Sequence, residues 1–281
     1  MGEPALPREA SEMQSIRVAA QLHPQHGTYA AIRQAVQTAD SMGFDICYTW
    51  DHFFPLYGEP DGPHFECWSM LAAWAEATTR IEIGPLVTCN SYRNPELLAD
   101  MARTVDQISG GRTILGIGAG WFRRDYDEYG YRFGTVGDRL ADLEAALPRI
   151  RHRLERLNPL PVRPMPLLIA GVGERRTLRL VARYADSWHA AFPEHPTDLE
   201  PKVAALRTWC DVEGRDPTAI EWGLGVEAED LDRFLADDAS TYLEMGFRQF
   251  TLGFNGPNWD VAAGRAWLDW RDRLNGTGGE P

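Results

Sequence analysis

Short runs of β-branched and other apolar residues alternate along the chain with longer amphipathic runs. The short runs predict eight strands, and the longer runs predict a helix after each strand. The predicted strands comprise residues 16–22, 44–50, 81–88, 113–119, 167–170, 186–191, 220–226 and 249–254. The predicted helices comprise residues 29–42, 68–79, 95–109, 138–157, 174–185, 199–213, 230–245 and 259–274.

Two local signals support the helix boundaries. Thr28 stands just before the first helix, where its hydroxyl is suited to cap the free N–H groups of the first turn. Gly110 and Gly111 follow the third helix and form a usual C-terminal stop.

Strands that alternate with helices pair in parallel through right-handed crossovers. Eight such units in 281 residues predict an α/β fold, a single (β/α)8 TIM barrel, which typically needs roughly 250 residues. The competing arrangement is an open, doubly wound sheet. The barrel domain is expected to comprise residues 15–281, after a loose tail of residues 1–14 that lacks the apolar segment of a signal peptide.

Charge and composition limit the kinds of partner that the chain is expected to bind. The formal net charge of −13 argues against nucleic acid, whose phosphates require clustered Lys and Arg. No apolar run approaches the roughly 20 residues of a membrane span. The four cysteines are widely scattered without a C-x-x-C pair, so we expect reduced thiols in a cytoplasmic protein.

Polar residues and glycines recur just after the predicted strands. In a barrel, functional groups gather at the C-terminal ends of the strands, so these positions predict a shared site there. They are Asp51 and His52 after the second strand, Thr88, Asn90 and Arg93 after the third, Gly116 to Trp121 after the fourth, Ala170 to Arg176 after the fifth, and Trp188 and His189 after the sixth.

The segment AGVGERR, residues 170–176, runs from a strand through a Gly-x-Gly turn into a helix. A helix N-terminus offers free N–H groups and a positive dipole end, which suit an anion. The same glycines are equally typical of an ordinary strand-to-helix turn. The glycines of GIGAG, residues 116–120, leave the same alternatives, a ligand against bare backbone or tight packing at the rim.

His52 is the best candidate for proton transfer, because the pKa of histidine ordinarily lies near working pH. Asp51 is suited to bond a cofactor nitrogen or a hydroxyl. The alternative is a structural Asp-His turn bonded to backbone. We expect no metal site, because His23, His26, His52 and His64 lack the spacing of helical metal ligands.

At these residues the chain resembles the luciferase-like monooxygenase superfamily, in particular its branch that uses the deazaflavin coenzyme F420. The resemblance spans residues 16–254. It is carried by GFDICYTWDHF, by IGPLVTCNSYRNPELLADMARTVDQISGGRTILGIGAGW and by AGVGERRTLRLVARYADSWH. These motifs are specific for the superfamily and less specific for the coenzyme.

The resemblance implies an oxidoreductase that moves a hydride between F420 and a small organic substrate. His52 is implied to shuttle the accompanying proton while Asp51 contacts the deazaflavin. A non-proline cis peptide is implied at Leu86–Val87, and the turn at Gly171–Gly173 is implied to hold the coenzyme phosphate. The full set implied to bind the coenzyme is Asp51, Leu86, Val87, Thr88, Asn90, Gly118, Ala119, Gly120, Ala170, Gly171, Val172, Gly173 and Glu174.

The substrate is expected to meet Gln21, Trp121 and Trp188. Sugar-phosphate dehydrogenases of the superfamily carry an acid where this chain has Trp121, so an apolar or aromatic wall and a less polar substrate are expected. A homodimer is compatible with the resemblance, since dimers are common among relatives. The alternatives are an FMN-dependent luciferase-like monooxygenase and a non-catalytic flavin-binding protein.

Overall fold

The computed structural model describes residues 15–276, and the predicted tail of residues 1–14 lies outside this range. The nine strand segments pair in parallel throughout. They are β1 (Arg17–Leu22), β2 (Ile46–Thr49), β3 (Glu82–Pro85), β4 (Thr88–Cys89), β5 (Leu115–Gly118), β6 (Leu167–Ala170), β7 (Ser187–His189), β8 (Glu221–Val226) and β9 (Phe247–Phe254).

The strand order is β3-β2-β1-β9-β8-β7-β6-β5-β4, so the two ends of the sheet belong to one chain segment. Ile83 of β3 also reaches the far end of the sheet: its N–H donates to the carbonyl of Arg112 at 2.9 Å, and its carbonyl accepts from Ile114 at 2.9 Å. The sheet therefore closes on itself. The predicted eight-stranded barrel is confirmed, and the open sheet is excluded.

The strand predicted at residues 81–88 is divided in two, because the peptide between Leu86 and Val87 is cis. The resemblance implied a cis peptide at this place, and it is confirmed. Pairing with β2 ends at Pro85, and pairing with β5 resumes at Thr88. The carbonyl of Leu86 is turned into the barrel, where it accepts from Nε2 of Gln21 at 3.1 Å.

Ten helical segments follow the strands. They are α1 (Tyr29–Met42), α2 (Cys67–Ala77), α3 (Pro95–Ser109), α4 (Arg123–Tyr129), α5 (Val136–Leu154), α6 (Thr177–Tyr184), α7 (Glu200–Glu213), α8 (Leu231–Arg233), α9 (Ala239–Met245) and α10 (Arg265–Asn275). The predicted helix 230–245 is interrupted by a π-helical segment, Phe234–Asp238. The predicted helix 259–274 begins as a 3-10 turn, Val261–Gly264.

The predicted caps are in place. The hydroxyl of Thr28 accepts from the N–H of Ala31 at 3.2 Å. Gly110 ends α3 in the left-handed conformation, with φ of 70°. Both caps depend on residues that are close in sequence, so both could be predicted from the sequence alone.

Successive strand residues point alternately outward and inward. In β1, Val18, Ala20 and Leu22 belong to the large core between strands and helices. Ala19 packs inside the barrel in a separate small cluster, and Gln21 faces the barrel cavity. This two-residue period is the geometry of a strand whose two faces are both buried.

A partly buried ionic group closes the N-terminal end of the barrel. Arg17, Glu82 and Glu221 are the first residues of β1, β3 and β8, and all three point inward. Arg17 pairs with Glu82 and, at 3.2 Å, with Glu221. Because the floor is filled, the cavity of the barrel opens at the C-terminal ends of the strands.

All four cysteines are buried free thiols. Among the helices within residues 15–276, none combines the length and the apolar character needed to cross a bilayer.

Candidate active site

A cavity of about 710 Å³ lies at the C-terminal mouth of the barrel. Twelve of the predicted site residues line it: Gln21, Asp51, His52, Leu86, Val87, Thr88, Gly118, Ala119, Gly120, Trp121, Ala170 and Gly171. It is also lined by nine residues to which no catalytic, coenzyme-binding or substrate-binding role was assigned from the sequence: His23, Trp50, Leu56, Cys89, Thr177, His189, Ala191, Phe192 and Glu227. The strand ends thus converge on one site, as the barrel geometry predicted.

Trp188 does not line this cavity, and its predicted role as a substrate contact is corrected. Its side chain points outward into the core, where it packs against Trp222 and Phe247 with centroids 5.7 Å and 5.6 Å apart. Its indole N–H donates to the carbonyl of Gly171 at 2.9 Å. The neighbouring residue, His189, has the inward position on β7 and faces the cavity.

His52 is held by a buried carboxylate. Its Nδ1 lies 2.7 Å from Oδ2 of Asp125 on α4. Because a carboxylate only accepts, the imidazole donates this hydrogen bond through Nδ1. Trp121 and Phe122 stand edge-on to the ring, with centroids 5.7 Å and 5.4 Å away. The ring is therefore fixed in orientation, and within residues 15–276 no hydrogen bond engages Nε2.

Asp125 is completely buried, and three donors converge on it. Besides His52, the hydroxyl of Tyr92 donates at 2.8 Å and the N–H of Phe53 donates at 3.1 Å. A buried carboxylate is costly unless hydrogen bonds compensate it, and these three do so. Sequence analysis missed Asp125. The available signal was an acid in RRDYDEY, a short segment between the fourth strand and the next long helix.

Asp51 lines the cavity, but its carboxylate is already engaged. Arg93 reaches both oxygens, one of them at 2.9 Å, and the N–H of Cys89 donates to Oδ2 at 3.1 Å. Burial raises the pKa of Asp51, whereas the Arg93 guanidinium opposes that rise. Asp51 therefore ties the end of β2 to the segment after β4.

The rim glycines are required by close packing. A Cβ on Gly118 would lie 2.8 Å from Cγ2 of Val87. Gly120 has φ of 80°, and a Cβ there would collide with the hydroxyl of Tyr126. These contacts favour the packing explanation for GIGAG. They also place the cis peptide directly against β5.

The turn after β6 presents unused donors. Gly171, with φ of 125°, donates its own N–H to the carbonyl of His189 at 3.0 Å. Within residues 15–276, the N–H groups of residues 172–176 donate to no protein acceptor, and α6 begins at Thr177. The hydroxyl-bearing side chain of Thr177 faces the cavity from the first position of this helix.

Four further predicted residues lie near the cavity without lining it: Asn90, Val172, Gly173 and Glu174. Asn90 is buried in the short turn after β4, and Val172 packs against the large core. Gly173 and Glu174 are exposed, and Glu174 pairs with Lys202 at 2.5 Å.

Comparison with known proteins gives the family. A family model described as luciferase-like monooxygenase matches residues 13–228. The chain belongs to this family. It is 30% identical over 225 residues to the phthiodiolone/phenolphthiodiolone dimycocerosates ketoreductase of Mycobacterium tuberculosis, strain H37Rv. The aligned region is 67% of this chain and only 58% of that relative.

Solved structures of similar fold bind two kinds of coenzyme. An F420-dependent secondary alcohol dehydrogenase in complex with an F420-acetone adduct superposes with a TM-score of 0.78 at 16% identity, covering 94% of this chain and 100% of that chain. A riboflavin lyase with modified FMN and riboflavin superposes with a TM-score of 0.74 at 12% identity, covering 94% and 93%. At these identities the likeness shows the luciferase-like barrel fold alone.

Two neutral histidines, the buried His189 and the partly buried His23, are a second feature of this luciferase-like site. Burial lowers the pKa of His189 to about 3 and that of His23 to about 4. The N–H of Ala191 donates to Nδ1 of His189 at 3.2 Å. Nδ1 therefore carries no proton, and Nε2 donates to the hydroxyl of Thr251 at 3.2 Å.

This burial predicts a pH-dependent stability. In the unfolded chain His189 binds a proton below its ordinary pKa of 6.5, whereas in the folded protein it resists protonation down to about 3. The free energy of unfolding should therefore fall as pH drops below 6.5, by up to about 1.4 kcal/mol per pH unit for this residue. In His189→Gln, the free energy of unfolding measured in urea should depend less steeply on pH between pH 7 and pH 5. The difference should correspond to about one proton fewer taken up on unfolding. The exposed-site control His152→Gln should keep the wild-type slope, and equal slopes in all three proteins would contradict this prediction.

Removing the Asp125 carboxylate should destabilise the fold. Asp125→Ala leaves three buried donors without an acceptor, so the free energy of unfolding should fall by roughly 3–5 kcal/mol. Asp127→Ala is the matched control on the same helix, because its carboxylate is mostly exposed and forms an i,i+4 pair with Arg123. That control should stay within about 0.5 kcal/mol of wild type in urea unfolding. Equal losses in the two variants would show that Asp125 has no special structural role.

Proposed function

We propose that the protein is an F420-dependent oxidoreductase that transfers a hydride between the deazaflavin and a small organic substrate. The observation that carries this proposal is the His52–Asp125 pair at the cavity in the mouth of the barrel. A flavin-type cavity that only binds its ligand has no need of a buried carboxylate to orient an imidazole.

The cavity fits the coenzyme in size and character. Ligand sites typically enclose roughly 300–1,000 Å³, and this cavity has about 710 Å³. One part of the lining is apolar and is formed by Leu86, Val87, Gly118 and Ala119. An apolar surface with small side chains suits a flat ring. These residues would hold the deazaflavin ring.

The donor set after β6 fits the phosphate of the coenzyme. The unused N–H groups of residues 172–176 and the start of α6 combine free donors with the positive end of a helix dipole. Thr177 adds a hydroxyl from the cavity side. Gly173 and Arg175 are exposed, so this turn is accessible to a charged ligand.

When bound, the coenzyme supplies the hydride chemistry, and the chain supplies position and proton transfer. Asp125 accepts from Nδ1 of His52 and so directs the proton-exchanging atom of the ring, Nε2, to the substrate. A carbonyl oxygen that gains charge takes a proton from Nε2, and an alcohol that is oxidised gives its proton to Nε2. The buried carboxylate stabilises the imidazolium form in either direction. Trp121 and Phe122 limit water around the ring.

The runner-up is an FMN-dependent monooxygenase of the same fold, which accords with the FMN-bound structural neighbour. The proton-transfer pair of His52 and Asp125 favours F420.

Titration of the purified protein with F420 and separately with FMN tests the proposal. Quenching of the abundant tryptophan fluorescence should show tighter binding of F420 than of FMN. Thr177→Val removes one donor to an anion without changing shape, so F420 affinity should fall about tenfold. The matched control Thr104→Val, exposed on α3, should bind as wild type. Tighter binding of FMN would point to the monooxygenase, and binding of neither would refute a flavin-type coenzyme.

A further inference from the structure

The wall of the cavity that faces the proposed coenzyme site is aromatic. His23 and Trp50 stack with ring centroids 4.2 Å apart and an interplanar angle of 18°. Tyr57 stands edge-on to both rings, with centroids 5.9 Å and 6.0 Å away. We call these three residues the aromatic wall: His23 and Trp50 line the cavity, and Tyr57 contacts both of them without lining it. Leu56, beside it, adds an aliphatic side chain to the cavity lining.

The strand order places one end of the aromatic wall across the cavity from the turn after β6. His23 follows β1, and Gly171 follows β6, which lies on the opposite side of the closed ring from β1. The cis peptide at Leu86–Val87 lies beside β2, because β3 pairs with β2. The space between His23 and the turn after β6 is therefore left for a substrate.

Hydrogen bonds fix the aromatic wall in position. The indole N–H of Trp50 donates to Nε2 of His64 at 3.1 Å. Nδ1 of His23 donates to Oδ1 of Asn255 at 2.7 Å, and the Tyr57 hydroxyl contacts the same oxygen. A surface held in this way offers an apolar contact at little cost in side-chain entropy.

The aromatic wall is uncharged at neutral pH. Burial lowers the pKa of both His23 and His64 to about 4, and burial raises the pKa of Tyr57 to about 12. Each shift favours the neutral form of the side chain, so the wall offers no charge to a ligand.

No lysine or arginine lines the cavity among the described residues 15–276. The Asp51 carboxylate is neutralised by Arg93, and Glu227 is exposed at the rim. An anionic group on the substrate would thus leave water without gaining a counter-ion, which is unfavourable.

His52 is within reach of a molecule on the aromatic wall. The centroids of Trp50 and His52 are 6.1 Å apart, and Trp121 closes the other side of the imidazole at 5.7 Å. A carbonyl or hydroxyl directed at Nε2 of His52 leaves the remainder of the molecule against Trp50, Leu56 and Trp121.

We infer that the cavity selects an uncharged, largely apolar ketone or secondary alcohol and excludes anionic analogues. The inference rests on the proposed function of the same site. The aromatic wall supplies the contact for the apolar body, and the absence of lysine and arginine from the lining within residues 15–276 supplies the discrimination against anions.

Two probes that share the para-acetylphenyl group test the inference: the uncharged methyl para-acetylbenzoate and the anionic para-acetylbenzoate, which lacks the ester methyl group. Calorimetric titration of the full chain, with and without F420, should give at least about tenfold tighter binding of the ester. Trp121→Arg places a cation beside His52 at a position that is 62% exposed. This variant should therefore bind the ester and the carboxylate with more similar affinities, or bind the carboxylate more tightly. Val136→Arg adds the same charge at a position 63% exposed and outside the cavity lining, and it should leave the preference unchanged.

Equal binding of the two probes, tighter binding of the carboxylate, or no binding of the ester would overturn the inference. Equal shifts in the two arginine variants would overturn it as well, since the lining would then not be the cause. F420 affinity is read in the same titrations. Loss of F420 binding with the ester preference intact would count against the proposed coenzyme and not against the selectivity.

Discussion

Each barrel strand sends alternate residues inward, and this two-residue period decides which side chains can take part in chemistry. In β7 it buries Trp188 between strand and helices and turns His189 to the cavity. In β1 it turns Arg17 inward to pair with Glu221 at the N-terminal end of the barrel. It also turns Gln21 inward, where the side chain donates to the carbonyl of the cis peptide. The strand residues that line the cavity depend on this parity, because a shift of one position would exchange the lining for the outer core.

A second constraint is that each carboxylate buried at the mouth of the barrel needs hydrogen-bond donors. Asp125 is tolerated because three donors meet it, and Asp51 is tolerated because Arg93 spans both of its oxygens. The two adjacent residues Asp51 and His52 thus belong to two separate networks. One ties β2 to the segment after β4, and the other orients an imidazole toward the cavity. This division gives the site a rigid frame beside a group free to exchange a proton at Nε2.

The sequence was sufficient for the fold because its signals are local. Strand periodicity, the cap at Thr28 and the stop at Gly110 each act over a few residues, and the structure confirms them. The interruption at Phe234–Asp238 carries no comparable signal, since the flanking residues keep a helical pattern.

The site was predictable only in part. Strand ends converge in any barrel, so most lining residues followed from the fold. Asp125 lies 73 positions from His52, and only tertiary packing joins them. The prediction that Trp188 contacts the substrate was wrong for a different reason. In the segment DSWHA both Trp188 and His189 suit a site, and composition does not reveal which one points inward.

In the proposed mechanism His52 transfers a proton and does not hold the coenzyme. The decisive measurement compares F420 affinity and substrate turnover in His52→Ala, with the exposed-site variant His152→Ala as control. We expect His52→Ala to bind F420 within about twofold of wild type while turnover falls by about 100-fold or more. Turnover equal to that of the control would contradict it, as would a loss of activity fully explained by lost F420 binding.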